Sequence, residues 1–303
     1  MLNARELDGR IRKLRKSLKG FPKDPTLEQV HDLRTRARRV EAILQALGMN
    51  VHRSARRVLA ELKAVRKRSG KVRDMDVFTS HIVGLGPKDD PECVVRLVHH
   101  LGVERHRHAG KLHATVQSTA PDLRQRLKRA RRRMDAILAR FNKAKVDLDD
   151  KGGDQAQSDD APLHAMADAM RLYRELAAVP RLGPNNLHAF RIEVKRLRYV
   201  LEMAEAHDQE QQPFLEELKK VQDAIGEWHD WLELTGIARH ILQQHRGCKL
   251  VKKIDDICRK KYGEALRVAE QLRDRYLQAN SAGKSSRRKR DEPAIPGPVL
   301  VAS

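Results

Sequence analysis

Apolar residues fall at Val30, Leu33, Ala37, Val40 and Leu44, alternately three and four apart, with polar and charged residues filling most positions between them. That rhythm predicts an amphipathic helix over 26–47 with one buried seam. Thr26 after Pro25 supplies its N-cap and Gly48 its stop. The same patterning predicts further helices over about 51–68, from near Arg73 to the Gly84-Leu85-Gly86-Pro87 run, over about 90–118, and beyond the Pro121 breaker over about 122–146. A second series is expected at about 162–178, 185–206, 212–225, 228–245 and 248–279.

Between the two series lies DLDDKGGDQAQSDDA, an acidic run from Asp147 to Ala161 without apolar periodicity. The expected organisation is a helical bundle over 1–148, an acidic flexible linker over 149–161, a second bundle over 162–280 and a basic, disordered tail over 281–303. The tail carries Arg287-Arg288-Lys289-Arg290, either an extra anion contact or a loose solvated segment. The fold class is all-α.

The two halves match at corresponding positions. VHDLRTRARRVEAIL (30–44) aligns without gaps on LHAFRIEVKRLRYVL (187–201), so His31 falls on His188, Arg34 on Arg191, Arg38 on Lys195 and Arg39 on Arg196. The seam recurs at Leu187, Phe190, Val194, Leu197 and Leu201, and Gly70-Lys-Val-Arg-Asp74 has its counterpart in Gly226-Glu-Trp-His-Asp230. This pattern predicts an internal duplication. At about 100° per residue, with His31 at zero, Arg34 lies at about 300° and Arg38 at about 340°, a stripe bordering the seam. Two such stripes facing each other would line a shared positive cleft whose natural counter-charge is an external anion. The alternative is a pair of solvated flanks whose long basic stems cover the seam.

Charge strengthens the first possibility. Lys and Arg number 62 against 41 Asp and Glu, a formal net charge of +21, which draws a protein towards polyanions: nucleic acid, polyphosphate or anionic lipid. Aromatic residues make up 4%, which excludes an all-β protein. Three cysteines, Cys93, Cys248 and Cys258, without C-x-x-C spacing, support neither a disulfide framework nor a zinc ribbon and fit a reducing compartment. The charged N-terminus lacks the apolar stretch of a signal peptide, and no window suits a membrane span, so a cytoplasmic location is expected.

At VHDLRTRARRVEAIL, GKVRDMDVF and LHAFRIEVKRLRYVLEMA the sequence resembles the CHAD family, α-helical domains named for their histidines. The resemblance spans about 25–280 and includes both copies of H-x-x-R-x-x-x-[RK]-R. It implies two four-helix bundles around a basic central cleft that binds inorganic polyphosphate without catalysis, and, for some members, association with polyphosphate granules. Carried over residue by residue, it assigns His31, Arg34, Arg38, Arg39, His188, Arg191, Lys195 and Arg196 to the ligand. It adds Arg73 of the first G-x-x-R-D turn, His229 at the matching position of the second, and Lys219 and Lys220 on the preceding helix. Arginine forks and lysine point charges suit a chain that offers only oxygen acceptors. A phosphate chain would raise the imidazole pKa of His31 and His188, unless these are neutral histidines bonded to backbone carbonyls.

No cofactor is expected. Asp74 and Asp230 are read as caps or as orienters of neighbouring cations, because neither a second carboxylate motif nor a nucleophile accompanies them. Neither H-E-x-x-H, a P-loop nor G-x-S-x-G occurs, so no enzyme is expected. His99, His106 and His113 are seven apart, about 10 Å along a helix, too far to share one metal ion. The alternative function is nucleic-acid binding.

Overall fold

The computed structural model describes residues 4–46, 53–86, 90–150, 161–204, 212–243 and 248–277. Their elements are eight α-helices: α1 (Ala4–Leu18), α2 (Leu27–Ala46), α3 (Arg53–Gly84), α4 (Pro91–Asp150), α5 (Ala161–Ala177), α6 (Leu187–Ala204), α7 (Gln212–Leu242) and α8 (Lys249–Leu272), the last running into a π-helical turn, Arg273–Leu277. There is no strand among them. None of the helices is long and apolar enough to cross a membrane.

Local chemistry explains where α2 begins. Thr26 Oγ1 accepts the N–H of Gln29 at 3.2 Å while Gln29 Oε1 accepts the N–H of Thr26 at 2.9 Å, a reciprocal capping box. The predicted seam is buried throughout, from Val30 to Leu44. In α6, Leu187, Phe190, Val194 and Leu197 are buried, and Leu201 is only partly so.

Three expected interruptions are continuous helix. Residues 51–68 and the stretch from Arg73 belong to one helix, α3, which runs through Gly70; 212–225 and 228–245 belong to α7, which runs through Gly226. A mid-helix glycine costs about 1 kcal/mol relative to alanine, less than the flanking apolar residues recover by burial. Pro121 lies within α4 with its ring exposed, while Ala120 and Leu123 beside it are buried. The helix forgoes one hydrogen bond there and keeps its packing.

Two apolar cores hold the helices. The first is built from α1, α2, the first part of α3 and the Ala109–Ala130 stretch of α4. The second joins α5 to α8 with Met75, Phe78 and Ile82 from the end of α3 and Cys93, Leu97 and Leu101 from the start of α4. The α3–α4 hairpin therefore reaches out of its own bundle into the other. Across the boundary α2 touches α6 and α3 touches α7, which places the two repeated helices side by side. Cysteine spacing gave no reason to pair any thiols, yet Cys93 and Cys248, 155 residues apart, are joined as a disulfide with Cα atoms 6.6 Å apart, and Cys258 is free and buried. Tertiary folding, not local spacing, brings those two together.

Candidate functional site

The glycines of the two G-x-x-x-D segments lie in mid-helix, and their function is to admit an arginine. Arg34 crosses from α2 over α3 and donates from Nη1 to the carbonyl of Arg66 at 3.1 Å. Arg191 crosses from α6 over α7 and donates from Nε to the carbonyl of Gln222 at 3.0 Å. Each acceptor lies one helical turn before a glycine, and a Cβ at Gly70 or Gly226 would stand 2.6 Å from Nη1 of Arg34 or Nη2 of Arg191. In both halves the guanidinium thus lies on a strip of bare helix backbone.

A prediction follows from that contact. Gly70→Ala and Gly226→Ala meet only the far end of a flexible side chain, so the arginine moves aside while the helix gains about 1 kcal/mol of propensity. Thermal melts should show equal or higher stability, and titration with an anionic ligand should show affinity down by roughly tenfold, the worth of about one hydrogen bond.

The stripes converge. Lys195 is pushed down to about 7 by burial first and then by Arg38, Arg66, Arg191 and Arg34, cations drawn from both halves. Arg34 is lowered to about 10 by burial and by Arg38, against the pull of Asp74. Burial likewise lowers Arg38, with Arg66 and Arg191 adding to it, and lowers Arg191, opposed by Asp230. Mutual repulsion of this kind marks charges held together with too few carboxylates to match them. Burial raises Asp74 above the usual carboxylate range despite Arg34 and Arg73.

Not every predicted residue is free for a ligand. Arg73 donates from Nη1 to Asp230 Oδ2 at 3.0 Å and Oδ1 at 3.3 Å, an ion pair that ties α3 to α7, with Asp74 Oδ1 at 3.6 Å. Asp74 and Asp230 lie inside α3 and α7, so they orient cations and cap nothing. Arg196 pairs with Glu193 at 2.8 Å and Lys220 with Glu217 at 2.7 Å, both well exposed, and Arg39 and Lys219 are exposed as well. These four are not among the charges acting most strongly on Lys195.

The histidines differ between halves. His31 is exposed, with Nε2 3.5 Å from Thr35 Oγ1. The His188 ring is tilted by 35° against that of His229, with centroids 4.4 Å apart, and its Nδ1 is buried without a partner. Burial, then His229 and Arg191, lower the His188 pKa, so the ring is neutral in the free protein at pH 7. His31 Nε2 thus faces a hydroxyl and His188 Nδ1 has no partner, whereas His113 of the α4 histidine series lies with Nδ1 3.0 Å from the carbonyl of Phe21. Arg73, His81, Arg191, Glu227 and Asp230 line a cleft of about 300 Å³ between α3 and α7, with His81 stacked on Trp231 at 4.4 Å.

Two members of the cluster were missed from sequence. Arg66 hides in the KAVRKRSGKVRD run, where half of the residues are basic; its Nε is held by Glu41 at 2.8 Å and its carbonyl receives Arg34. Tyr199 lies under Lys195 and Arg198, with Nζ 5.8 Å and the guanidinium carbon 5.1 Å from the ring centroid. Its place one turn after Lys195 was the only available signal.

An all-helical protein with a cationic centre shared between two bundles is the class that fold and site define. The family model for the CHAD domain matches residues 5–239, and the chain belongs to that family. The crystal structure of the CHAD domain from the plant Ricinus communis is similar over 91% of this chain and 88% of that one, with a TM-score of 0.50 and 18% sequence identity. A ribosome-binding factor A from Cereibacter sphaeroides (strain KD131 / KCTC 12085) is 36% identical over 105 residues, 33% of this chain and 72% of that protein.

Proposed function

We propose that the protein binds inorganic polyphosphate, without catalysis, along the cationic centre between its bundles. The observation that carries this reading is Lys195, held near neutrality by burial and four arginines of both halves. Such a centre is under-neutralised from within, and a flexible chain of phosphates supplies one negative charge per unit. Arg34, Arg38 and Arg191 offer the guanidinium donors, Lys195 a point charge, and His31, His188 and His229 imidazole nitrogens for hydrogen bonds to phosphate oxygens. Family membership and the repeated arginine-over-glycine arrangement support both this ligand and a duplicated origin of the halves. Granule association in the cell follows from the same ligand.

Nucleic-acid binding is the second reading, favoured by the partial likeness to a protein named for binding ribosomes. Against it stands the 4% aromatic content, because binders of single strands stack bases on aromatic rings. A competition titration between long-chain polyphosphate and single-stranded RNA of equal charge tests the two. Polyphosphate is expected to win at every salt concentration, with log affinity falling about 0.7 per phosphate neutralised for each tenfold rise in salt. Preference for RNA would overturn the first reading. Incubation of bound polyphosphate with magnesium should release no orthophosphate, and release would make the protein a hydrolase.

A further inference from the structure

Three potential ligands that lie far apart in the chain meet where two helices begin. Asp90 precedes α4, and its carbonyl accepts the N–H of Val94, so it stands at the N-cap of that helix. Its carboxylate reaches across to α8, accepting the N–H groups of Lys249 and, at 3.1 Å, Leu250. Cys93 is buried in the first turn of α4. Cys248 is the N-cap residue of α8, and its side chain makes no capping bond, since Asp90 does that work from the other helix. One carboxylate oxygen and the two Sγ atoms lie within 4.8 Å of one another.

We propose that Asp90, Cys93 and Cys248 form a zinc-class metal site in the reduced protein, and that the Cys93–Cys248 disulfide is its oxidised, ion-free alternative. The donor set supports this: two thiolates and a carboxylate match the borderline-soft preference of Zn²⁺, and water completes a tetrahedron. The surroundings support it too. Two helix N-termini converge on a ligand set that carries net negative charge even around a dication, and their dipoles favour that charge. The amides of Lys249 and Leu250 fix the carboxylate, as outer-shell donors do in metal sites. Reading metal ligands from spacing along the chain overlooked this set because its cysteines are 155 residues apart.

The exchange between the states is balanced with a small-molecule disulfide, such as oxidised glutathione, as oxidant. The two cysteine thiolates give up two electrons and form the Sγ–Sγ bond. The small disulfide accepts the electrons, its own S–S bond breaks, and it leaves as two thiols after taking two protons from water. The zinc ion departs as Zn²⁺. Either state fastens the start of α4 to the start of α8, so cohesion of the second core responds to redox state and metal supply.

Cobalt(II) is the test probe, added without oxygen to the full chain after phosphine reduction and removal of metal by a chelator. One equivalent is expected to bind, producing a thiolate-to-cobalt charge-transfer band and the visible bands of a tetrahedral ion, which Zn²⁺ then bleaches. Cys93→Ser and Cys248→Ser should each abolish the charge-transfer band, and Cys258→Ser should leave it intact. Asp90→Asn keeps an acceptor for the α8 amides and should weaken affinity roughly tenfold or more. Oxidised glutathione should bleach the cobalt spectrum as two of the three thiols disappear. Far-UV circular dichroism checks folding, and the Asp90→Asn and Cys258→Ser results stand even if a serine variant unfolds. Absence of the band in the reduced wild type, its survival in a folded Cys93 or Cys248 variant, or its loss in Cys258→Ser would overturn the proposal.

Discussion

Replacing Arg34 and Arg191 together by glutamine is expected to weaken polyphosphate binding by roughly a hundred- to ten-thousand-fold. Each arginine contributes a charge-assisted contact worth about 1.5–3 kcal/mol, and about 1.4 kcal/mol is a factor of ten in affinity. Stability should hold or rise. Both guanidinium groups have their pKa values lowered by burial first, then by neighbouring cations, so the fold disfavours their charged forms and a neutral amide relieves repulsion. The control removes the same charge elsewhere: Arg39→Gln with Lys219→Gln, two exposed residues outside the set that acts on Lys195. That pair should cost no more than about threefold, the scale of an exposed ion pair. Isothermal titration of both double variants beside thermal melts provides the check. Equal losses in the two pairs would mean that net charge, not the cluster, holds the ligand.

How much of this was legible beforehand depends on the range of the signal. Burial of Val30, Leu33, Ala37, Val40 and Leu44 follows from a local periodicity, and the capping box at Thr26 and Gln29 from residue types three apart. The border position of Arg34, Arg38, Arg191 and Lys195 came from the same helical geometry, and all four are partly buried. The glycines misled because glycine at a helix end and glycine under an arginine look alike in sequence. What distinguishes Gly70 and Gly226 is a side chain arriving from another helix, 36 or 35 positions earlier in the chain, and no local window contains it. Periodicity also names the buried face of a helix without naming its partner. Met75, Phe78 and Ile82 therefore gave no sign that they pack in the second core, nor Arg73 that its charge is taken up by Asp230.

Anion binding should also consume a proton above neutral pH. In the free protein Lys195 titrates at about 7, lowered by burial and then by Arg38, Arg66, Arg191 and Arg34. A bound phosphate chain supplies the missing counter-charge and moves the ammonium back towards its ordinary range, near 10.4. Below pH 7 the lysine is charged with or without ligand, and affinity is indifferent to it. Above pH 7 binding must first protonate it, so affinity falls by up to about tenfold per pH unit, or about a hundredfold between pH 7 and pH 9. The sign for stability is opposite: the unfolded lysine holds its proton up to its ordinary value of 10.5, the folded one only to about 7. Between those limits the unfolded state binds more protons, and the ligand-free fold gains stability as pH rises. His188, lowered by burial and by His229, adds its own step only on the acid side of the usual imidazole range, so the two contributions separate. Calorimetry at pH 8 in two buffers of different ionisation enthalpy should report net proton uptake. Lys195→Met should abolish both that uptake and the alkaline loss of affinity. If the methionine variant kept the same pH profile, the proton would belong to another group and Lys195 would have no place in the ligand's path.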